Sequence, residues 1–524
     1  MTEQVVESYP LTPTQQGILF NSLRAGSGMV EIEQIVGRLH HPLDVPQLRA
    51  AWAWAEARHA ALRTSFRWDG GEARQQVVAR APIPFEQRDH SRLAEAARDA
   101  ELARFLEEDR ERGFDLAKPP LARLTLFVYR GNDVEPTGAD ADAPSSVLVW
   151  TFHHALLDGR SFTQVLREVF DRYDAELRGE VFDPPAPPPF RRHCEHLHAQ
   201  TEAQRAKERA GETHADAAFW TEHLRGFSTP TPVPAARTIR GPAARRRHDE
   251  LETRVGAATV KRLIDLGREH GFTLASAVQG AWAIALARYA RTDDVCFGST
   301  RAARHTSVPE ALQMVGCLIN TVPLRVGVSP ETEALELLRH LREINVATRP
   351  HEQASLVSMR SWADLPASTP LFETLVVFER YLMNSELQAL GGAWAARHFS
   401  VLEQSDFALV LAAYQDGDDL ILKLEHDAMR CEPDAVARLA EHVATLLRGI
   451  AKNPLAKVRE LPLLSDAERD DLLAGAGGDG PLIPVHDITW PDAFASRARA
   501  TPDAVALVSA HGETTYAGLD RVAA

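Results

Sequence analysis

The proline run at Pro184–Pro189 sets the strongest limit on how this chain can fold. Its sequence, PPAPPP, favours an extended polyproline conformation and cannot continue a helix. It therefore predicts a break between two lobes, one over residues 1–183 and one over residues 184–452. Each side of the break alternates helical and strand-like patterns, which predicts two α/β lobes.

The periodicity of apolar residues predicts the main elements. In the first lobe Asp44 is placed to cap a helix, a surface helix covers 93–111, strands cover 124–129 and 147–152, and an exposed loop covers 131–146. In the second lobe we expect helices at 274–289, 331–347 and 433–450, and strands at 294–300, 318–326, 372–378 and 420–425. The composition then changes and becomes rich in Gly and Pro, which predicts a linker over 453–486. The residues 487–524 are predicted to be the first part of a further domain.

Composition narrows the class of protein. The 524 residues are 44% hydrophobic and 25% charged, which is ordinary for a globular chain, and the net charge is −15. An acidic total argues against nucleic acid or an anionic membrane as the main partner. No apolar run is long enough to span a bilayer, and the first twenty residues carry no basic signal-peptide start. Four scattered cysteines form no disulfide framework, so we expect a reduced, cytoplasmic enzyme or binding protein.

The segment from Thr151 to Ser161, TFHHALLDGRS, carries the residues with the most chemistry. A strand ends at Phe152, and an amphipathic helix begins near Ser161. Its apolar face is formed by Phe162, Val165, Leu166, Val169, Phe170 and Tyr173. The segment is therefore predicted to be a strand-to-helix loop in which Gly159 relieves backbone strain and Ser161 caps the helix.

Several functions fit such a loop. The imidazole of His154 can accept a proton from an attacking amine or hydroxyl, and the helix start offers N–H groups to an oxyanion. A single buried histidine is more often a satisfied core residue. His154 and Asp158, four residues apart, also have the spacing of two metal ligands, although the sequence supplies no third ligand. The residues alone leave these alternatives open.

The order of the motifs favours one family. The pattern His153-His154-x-x-x-Asp158-Gly159 resembles the HHxxxDG signature of condensation domains in nonribosomal peptide synthetases, which belong to the chloramphenicol-acetyltransferase-like superfamily. Further segments are similar to that family's other motifs and follow in the same order from residue 9 to about residue 450. They are Tyr9–Phe20, Phe219–Phe227, Asp294–Gly298, Met314–Arg325 and Pro370–Glu373.

The resemblance implies a fold and a reaction. The fold is a V-shaped pseudo-dimer of two acetyltransferase-like α/β lobes with a central tunnel. The reaction is acyl transfer, in which the amine of a downstream carrier-bound aminoacyl group attacks an upstream carrier-bound acyl or peptidyl thioester. Both substrates arrive on 4′-phosphopantetheine arms of carrier domains outside this chain, and no intrinsic cofactor or metal is implied. The product would be a peptide such as an antibiotic or a siderophore.

The resemblance also assigns roles to the loop. His154 either deprotonates the attacking amine or positions it, and His153 is structural beneath the loop. Asp158 is an ion-pairing scaffold, because a carboxylate near its ordinary pKa is a poor base for an amine. Gly159 permits a tight turn and offers a backbone N–H near the reacting carbonyl. In the segment 300–305, Arg304 is the expected partner of Asp158, with Arg301 as the alternative.

Three other segments bear on the resemblance to condensation domains. The residues 501–506 and 514–519 resemble the opening of an adenylation domain, which implies an adjoining adenylation partner. The family often has an arginine where this chain has Gly17. A metal cluster of His193, Cys194, His196 and His198 can be imagined, but a polar helix start after the prolines fits these residues better.

The alternative functions come from different classes. An acyl-CoA-dependent acyltransferase would share the histidine loop, whereas a non-catalytic domain that only docks carriers would not need it. Ester formation, action on a dehydrated residue and epimerisation are modified reactions of the same family. Heterocyclisation is disfavoured because that subfamily replaces both histidines by aspartate. We expect the excised unit to be a monomer.

Overall fold

The computed structural model describes residues 4–523 except for ten internal segments. These are 26–30, 69–72, 131–143, 237–247, 306–307, 367–368, 382, 405–406, 477–488 and 510–511. Most of the predicted loop at 131–146 therefore lies outside the described residues. The chain forms two compact units, Met1–Ser465 and Asp466–Ala524.

The first unit contains twelve α-helices among its described residues. They are α1 (Pro13–Ala25), α2 (Val45–Arg58), α3 (Glu95–Arg112), α4 (Gly159–Arg178), α5 (Arg191–Arg209), α6 (Ala215–His223), α7 (Ala257–His270), α8 (Leu274–Ala290), α9 (Ala334–Thr348), α10 (Leu356–Ser361), α11 (Met383–Gln388) and α12 (Pro433–Lys452). Asp44 caps α2 as its position predicts, because its side chain accepts a hydrogen bond from the Gln47 backbone N–H at 3.0 Å.

Fourteen strands in the described part of the first unit form three sheets. The strands are β1 (Val5–Pro10), β2 (Ile32–Leu39), β3 (Thr64–Arg67), β4 (Arg74–Val78), β5 (Phe85–Asp89), β6 (Ala122–Val128), β7 (Ser146–His153), β8 (His248–Val255), β9 (Asp294–Arg301), β10 (Asn320–Gly327), β11 (Thr374–Tyr381), β12 (Arg397–Leu402), β13 (Leu409–Asp416) and β14 (Asp419–Asp427). A small sheet has the order β1-β4-β3. The first large sheet has the order β12-β2-β7-β6-β5, and the second has β10-β9-β11-β13-β14-β8.

The first large sheet is covered on both faces. Leu148, Trp150 and Phe152 point from β7 into a core shared with α2 and α4, where Trp52 packs edge to face on Trp150. Val147 and Val149, on the opposite face of the same strand, pack against α3. Because both faces are covered, β7 is buried along its whole length, and its position is held rigidly.

The second large sheet builds the other core. Helix α8 is rich in Ala and other apolar residues, and every residue from Ser276 to Ala287 is buried. Such a helix must be covered on all sides. It lies among α7, α9 and α12, with Phe297, Leu324 and Leu422 of the sheet beneath this layer.

One strand crosses the predicted division into lobes. Strand β12 comes from the second half of the chain but pairs with β2 of the first large sheet, with Phe399 opposite Gly37. Trp394 and Phe399 are buried in the core of that first sheet. Apolar alternation predicts that a strand buries one face but does not say in which sheet it pairs. The boundary between 183 and 184 remains a prediction, and β12 crosses it.

The predicted linker also begins too early. Residues 453–465 belong to the first unit, where Val458 and Leu461 are buried in the core of the second large sheet. The Ala456 carbonyl accepts a hydrogen bond from the Ala334 N–H at the start of α9. These contacts attach the segment to the first unit, although its Pro and polar residues look like a linker.

A glycine-to-alanine change tests the crossing of β12. A Cβ at Gly37 would lie 2.6 Å from Cε1 of Phe399, whose ring packs edge to face on Phe170 and is held there by the core. We expect Gly37→Ala to lower the thermal midpoint through a loss of about 1–3 kcal/mol. Gly17→Ala is the control, because no described atom lies within 4 Å of its Cβ and alanine favours helix α1. Equal melting of both variants would contradict the close packing of β12.

The second unit is small. It contains α13 (Asp466–Ala476), α14 (Trp490–Ala500), the hairpin of β15 (Val505–Ser509) with β16 (Gly512–Thr515), and α15 (Tyr516–Ala523). Thr489 caps α14 through its hydroxyl, which accepts from the Asp492 N–H. Among the described residues of both units, no helix has the length and apolar character needed to cross a membrane.

Candidate active site

Strand β7 and helix α4 position the histidine loop. The strand ends at His153 and the helix begins at Gly159, so His154 and Asp158 lie in a five-residue connection. The apolar face predicted for α4 is buried throughout. The cap differs from the prediction, because the side chain of Asp158 accepts from the Ser161 N–H at 2.9 Å. Asp158, and not Ser161, is therefore the N-cap of α4.

His153 is fully buried, and both of its nitrogens contact the protein. Its Nδ1 accepts from the Ala155 N–H at 3.2 Å, so Nε2 carries the hydrogen and donates to the Ser22 hydroxyl at 3.1 Å. Burial, followed by the neighbouring His154, lowers the pKa of His153 to about 3. The ring of His153 is therefore neutral and both of its nitrogens are hydrogen-bonded, and the bond to Ser22 connects the loop to α1.

His154 is the more open of the two histidines, with its side chain 18% exposed. Its Nδ1 lies 3.1 Å from the Leu157 carbonyl, which can only accept, so Nδ1 carries the hydrogen. Nε2 is therefore left with a lone pair and has no hydrogen-bond partner among the described residues. Burial lowers the pKa of His154, while the bond to Leu157 and the charge of Asp158 oppose that shift. The neutral form, which can accept a proton, is favoured.

The backbone next to His154 is held in place. Its N–H donates to the Glu31 carbonyl at 2.8 Å, and Glu31 has a φ of 63°. This is the left-handed region, which costs free energy for a residue with a side chain. Surrounding contacts must stabilise that conformation, so the position of the carbonyl that holds His154 is set by the fold.

Asp158 is almost fully buried and its carboxylate is saturated. Arg304 Nη2 lies 2.5 Å from Oδ1 and 2.8 Å from Oδ2, and the Leu318 N–H donates to Oδ2 at 2.9 Å. Arg304, which we expected as the partner of Asp158, makes this contact, and Arg301 does not. Arg304 also donates to the Ala311 and Met314 carbonyls. The pair joins the start of α4 to the segment 311–318 and leaves no carboxylate oxygen open to a substrate.

Ser161 adds hydrogen bonds to the same connection between the start of α4 and the segment 311–318. Its hydroxyl donates to the Gly316 carbonyl at 2.7 Å and accepts from the Gly316 N–H at 3.0 Å. The hydroxyl also accepts from Arg304 at 2.9 Å. The sequence predicts Ser161 only as a cap. Its contact with Gly316 spans 155 residues, and no local pattern encodes such a pairing.

The opening segment, which the resemblance singled out, contacts the loop from another side. Gln15 donates through Nε2 to the Ala155 carbonyl at 2.9 Å. Thr14 donates to the Ile319 carbonyl at 2.7 Å, and its hydroxyl lies 2.9 Å from Oδ1 of Asn320. The start of α1 thus connects the histidine loop to the beginning of β10. These contacts bring three of the motifs identified in the sequence to one place.

Gly159 differs from the expectation of a strained turn. It is the first residue of α4 and is not among the residues with positive φ, so its backbone has an ordinary helical conformation. The residues considered for a metal cluster lie on helix α5, where His193 and Cys194 are buried. Within the described ranges, no three His, Cys, Asp or Glu side chains are grouped as metal ligands.

Comparison with known proteins identifies the family. Residues 5–473 match the Condensation domain family. The chain is 34% identical over 517 residues to one of the linear gramicidin synthase subunits of Brevibacillus parabrevis, covering 98% of this chain and 9% of that protein. It is 27% identical over 526 residues to surfactin synthase subunit 3 of Bacillus subtilis (strain 168), covering 99% of this chain and 39% of that protein. The chain therefore spans well under half the length of either relative.

Solved structures share the fold. The first condensation domain of the calcium-dependent antibiotic synthetase, in complex with a substrate analogue, superposes with a TM-score of 0.68 at 18% identity, over 88% of this chain and 100% of that one. A point mutant of the starter condensation domain of rhizomide synthetase RzmA, in complex with C8-CoA, superposes with a TM-score of 0.72 at 18% identity. This match covers 87% of this chain and 98% of that one. The match of residues 5–473 to the family, together with the similarity to the gramicidin synthase subunit, shows that the chain belongs to the condensation domain family of nonribosomal peptide synthetases.

Proposed function

We propose that this chain joins an upstream carrier-bound acyl or peptidyl thioester to the amine of a downstream carrier-bound aminoacyl group. The amine nitrogen attacks the thioester carbonyl carbon, the C–N bond forms, and the C–S bond breaks. The sulfur leaves as the thiol of the upstream 4′-phosphopantetheine arm. The enzyme is then an acyltransferase that forms an amide bond.

The free lone pair on His154 Nε2 carries this proposal. The neutral amine that attacks must lose one proton as the C–N bond forms, and a neutral imidazole whose other nitrogen is fixed to a carbonyl is suited to accept it. The same ring can return that proton to the departing sulfur. His153 and Asp158 are saturated by protein contacts, so we assign them to holding the loop. Gly159 lies at the helix start, where a backbone N–H can approach the carbonyl oxygen.

The partners follow from the same reaction. Both substrates require carrier domains with 4′-phosphopantetheine arms, and we place their reacting ends on opposite sides of His154, in a tunnel between the two lobes. The residues 487–524 are proposed to begin an adenylation domain, with the two lobes at 1–183 and 184–452 as expected from the sequence. The four-domain nonribosomal peptide synthetase AB3403, solved with AMP and glycine, matches 99% of this chain at a TM-score of 0.69 and 16% identity, which is consistent with such a neighbour.

Intact-mass analysis of the downstream carrier tests the reaction. The full chain is mixed with a donor carrier bearing an acyl or aminoacyl thioester and an acceptor carrier bearing an aminoacyl thioester. We expect the acceptor carrier to gain the mass of the donor acyl group. Transfer only from a soluble acyl-CoA would favour the alternative acyltransferase, a reaction suggested by the C8-CoA complex of RzmA. Carrier binding without any mass gain would favour a docking domain.

We further propose that carriers dock on an exposed apolar patch formed by α1 together with Trp68, the residue that follows β3. The patch consists of Phe20, Leu23 and Trp68, whose exposed fractions are 64%, 54% and 42%. They line a cavity of about 310 Å³ together with Arg205. Clustered exposed apolar side chains mark interaction sites, and an arginine suits an anionic phosphopantetheine arm. The buried face of the same helix carries Ser22, which contacts His153.

The double variant Phe20→Ser, Leu23→Ser tests the docking surface. We expect about a tenfold higher KM for one carrier with nearly unchanged kcat, because docking contacts are lost while the reacting groups are untouched. Steady-state rates against carrier concentration give both constants. Val357→Ser on α10 is the matched control, since Val357 is 80% exposed and is not one of the residues that line the cavity. An unchanged KM for both carriers would exclude the patch.

A further inference from the structure

Glu33 on β2 is a buried carboxyl group beside His154 that the reaction described above does not use. Its side chain is 2% exposed, and Oε1 lies 3.7 Å from Nδ1 of His154. Oε2 is buried and has no hydrogen-bond partner among the described residues. A buried carboxyl group is costly unless it has a partner, so its presence at this place requires an explanation.

The geometry distinguishes Glu33 from a substrate-binding group. It lies at the Nδ1 edge of the imidazole, together with the Leu157 carbonyl, whereas the reacting lone pair is on Nε2. Among the described residues, His154 is the basic side chain within ion-pairing distance of this carboxyl group. An acidic group behind a histidine base can orient the ring and stabilise the imidazolium that forms when Nε2 accepts a proton.

We propose that Glu33 is a positioning residue for His154, which sets the orientation and the proton affinity of the imidazole from behind. The inference deepens the proposed function and rests on it for the role of His154. The ionised carboxylate would stabilise the imidazolium more than the protonated acid, so the effect depends on the charge of Glu33.

The charges around Glu33 come from several elements. Burial, and then Glu403, Glu31 and Glu425, raise the pKa of Glu33 well above the ordinary range, while Lys423 opposes the shift. Arg110 of α3 is a further charge that interacts with it. Lys423 is shared with Glu425 at 3.1 Å and with Glu250 at 2.8 Å, so its charge is already compensated. Burial also raises the pKa of Glu425 to about 7.

The sign of the pH effect follows. Below its raised pKa, Glu33 is protonated and resembles glutamine in charge and shape. As the pH rises through that pKa, the carboxylate forms and increases the basicity of His154. The wild-type rate should therefore exceed that of Glu33→Gln only at the alkaline end. The ratio of the two rates is expected to rise from about one to at most about tenfold, the upper limit for a shift of one pKa unit in His154.

Single-turnover condensation followed by carrier mass across a pH series measures this ratio. Glu56→Gln is the matched control, because Glu56 is also 2% exposed but bonds to the Ala81 N–H, far along the chain from the loop. Its ratio to wild type should be constant with pH. A constant ratio for Glu33→Gln as well would overturn the proposal.

Histidine NMR provides a readout that does not depend on condensation. The protein is labelled with ¹⁵N-histidine, and the signals of His154 are assigned by their loss in His154→Gln. In the wild type, the ring-nitrogen chemical shifts of His154, followed against pH, should show a second step where Glu33 ionises, in addition to the titration of His154 itself. The step should vanish in Glu33→Gln. It should persist in Glu425→Gln but move to lower pH, because a neighbouring negative charge is gone. If the wild type shows no such step, the role of Glu33 is refuted, even if every variant misfolds. If the wild type shows the step but catalyses no condensation, the proposed function fails and the coupling of Glu33 to His154 stands.

Discussion

His154→Ala should lower the rate of condensation by about 10²–10⁴, the usual contribution of one acid–base group. The fold should persist, because the side chain is 18% exposed and its hydrogen bond from Nδ1 to the Leu157 carbonyl lies within the loop. Carrier mass analysis in single turnover measures the rate, and thermal melting checks the fold. The reaction should also lose its dependence on the protonation of a histidine.

His153→Ala is the informative comparison for that variant. His153 is fully buried and bonds to Ser22 and the Ala155 N–H, so its removal should lower the melting temperature together with the rate. A folded His154→Ala protein with wild-type turnover would reject the role of His154 as a base. It would leave the family assignment untouched, because that assignment rests on the whole chain.

Asp158→Asn should destabilise the first unit by about 3–5 kcal/mol, because it leaves the buried Arg304 guanidinium without its counter-charge. The carboxylate accepts from Arg304, the Ser161 N–H and the Leu318 N–H, and an amide cannot replace all of these contacts. Activity should fall at the same time, since α4 and the segment 311–318 would shift away from the loop. Thermal and urea unfolding measure the loss of stability.

A double-mutant cycle separates scaffolding from chemistry. Arg304→Met alone leaves Asp158 buried and unpaired, so it should be destabilising to a similar extent. The combined variant should lose much less stability than the sum of the single variants, because no unpaired charge remains. Additive losses would argue against a direct ion pair. Lost activity in Asp158→Asn with unchanged melting would instead indicate a chemical role for the carboxylate.

Local patterns predict those elements whose evidence lies within one stretch of chain. The apolar spacing from Phe162 to Tyr173 predicts the buried face of α4, and the helix predicted at 274–289 corresponds to α8. The short apolar segments before His153 and after Asp294 form β7 and β9. Periodicity reports which side of an element is buried, and this information is local.

The site depends on contacts that periodicity does not encode. Ser22 meets His153 across 131 residues, and Ser161 meets Gly316 across 155. Strand β12 pairs with β2 although the proline run separates them, and Glu33 lies behind His154 because neighbouring strands place it there. The Asp158–Arg304 pair is expected only through resemblance to a family. An amino-acid pattern specifies that a face is apolar or that a group needs a partner, whereas the packing of distant segments determines which partner it receives.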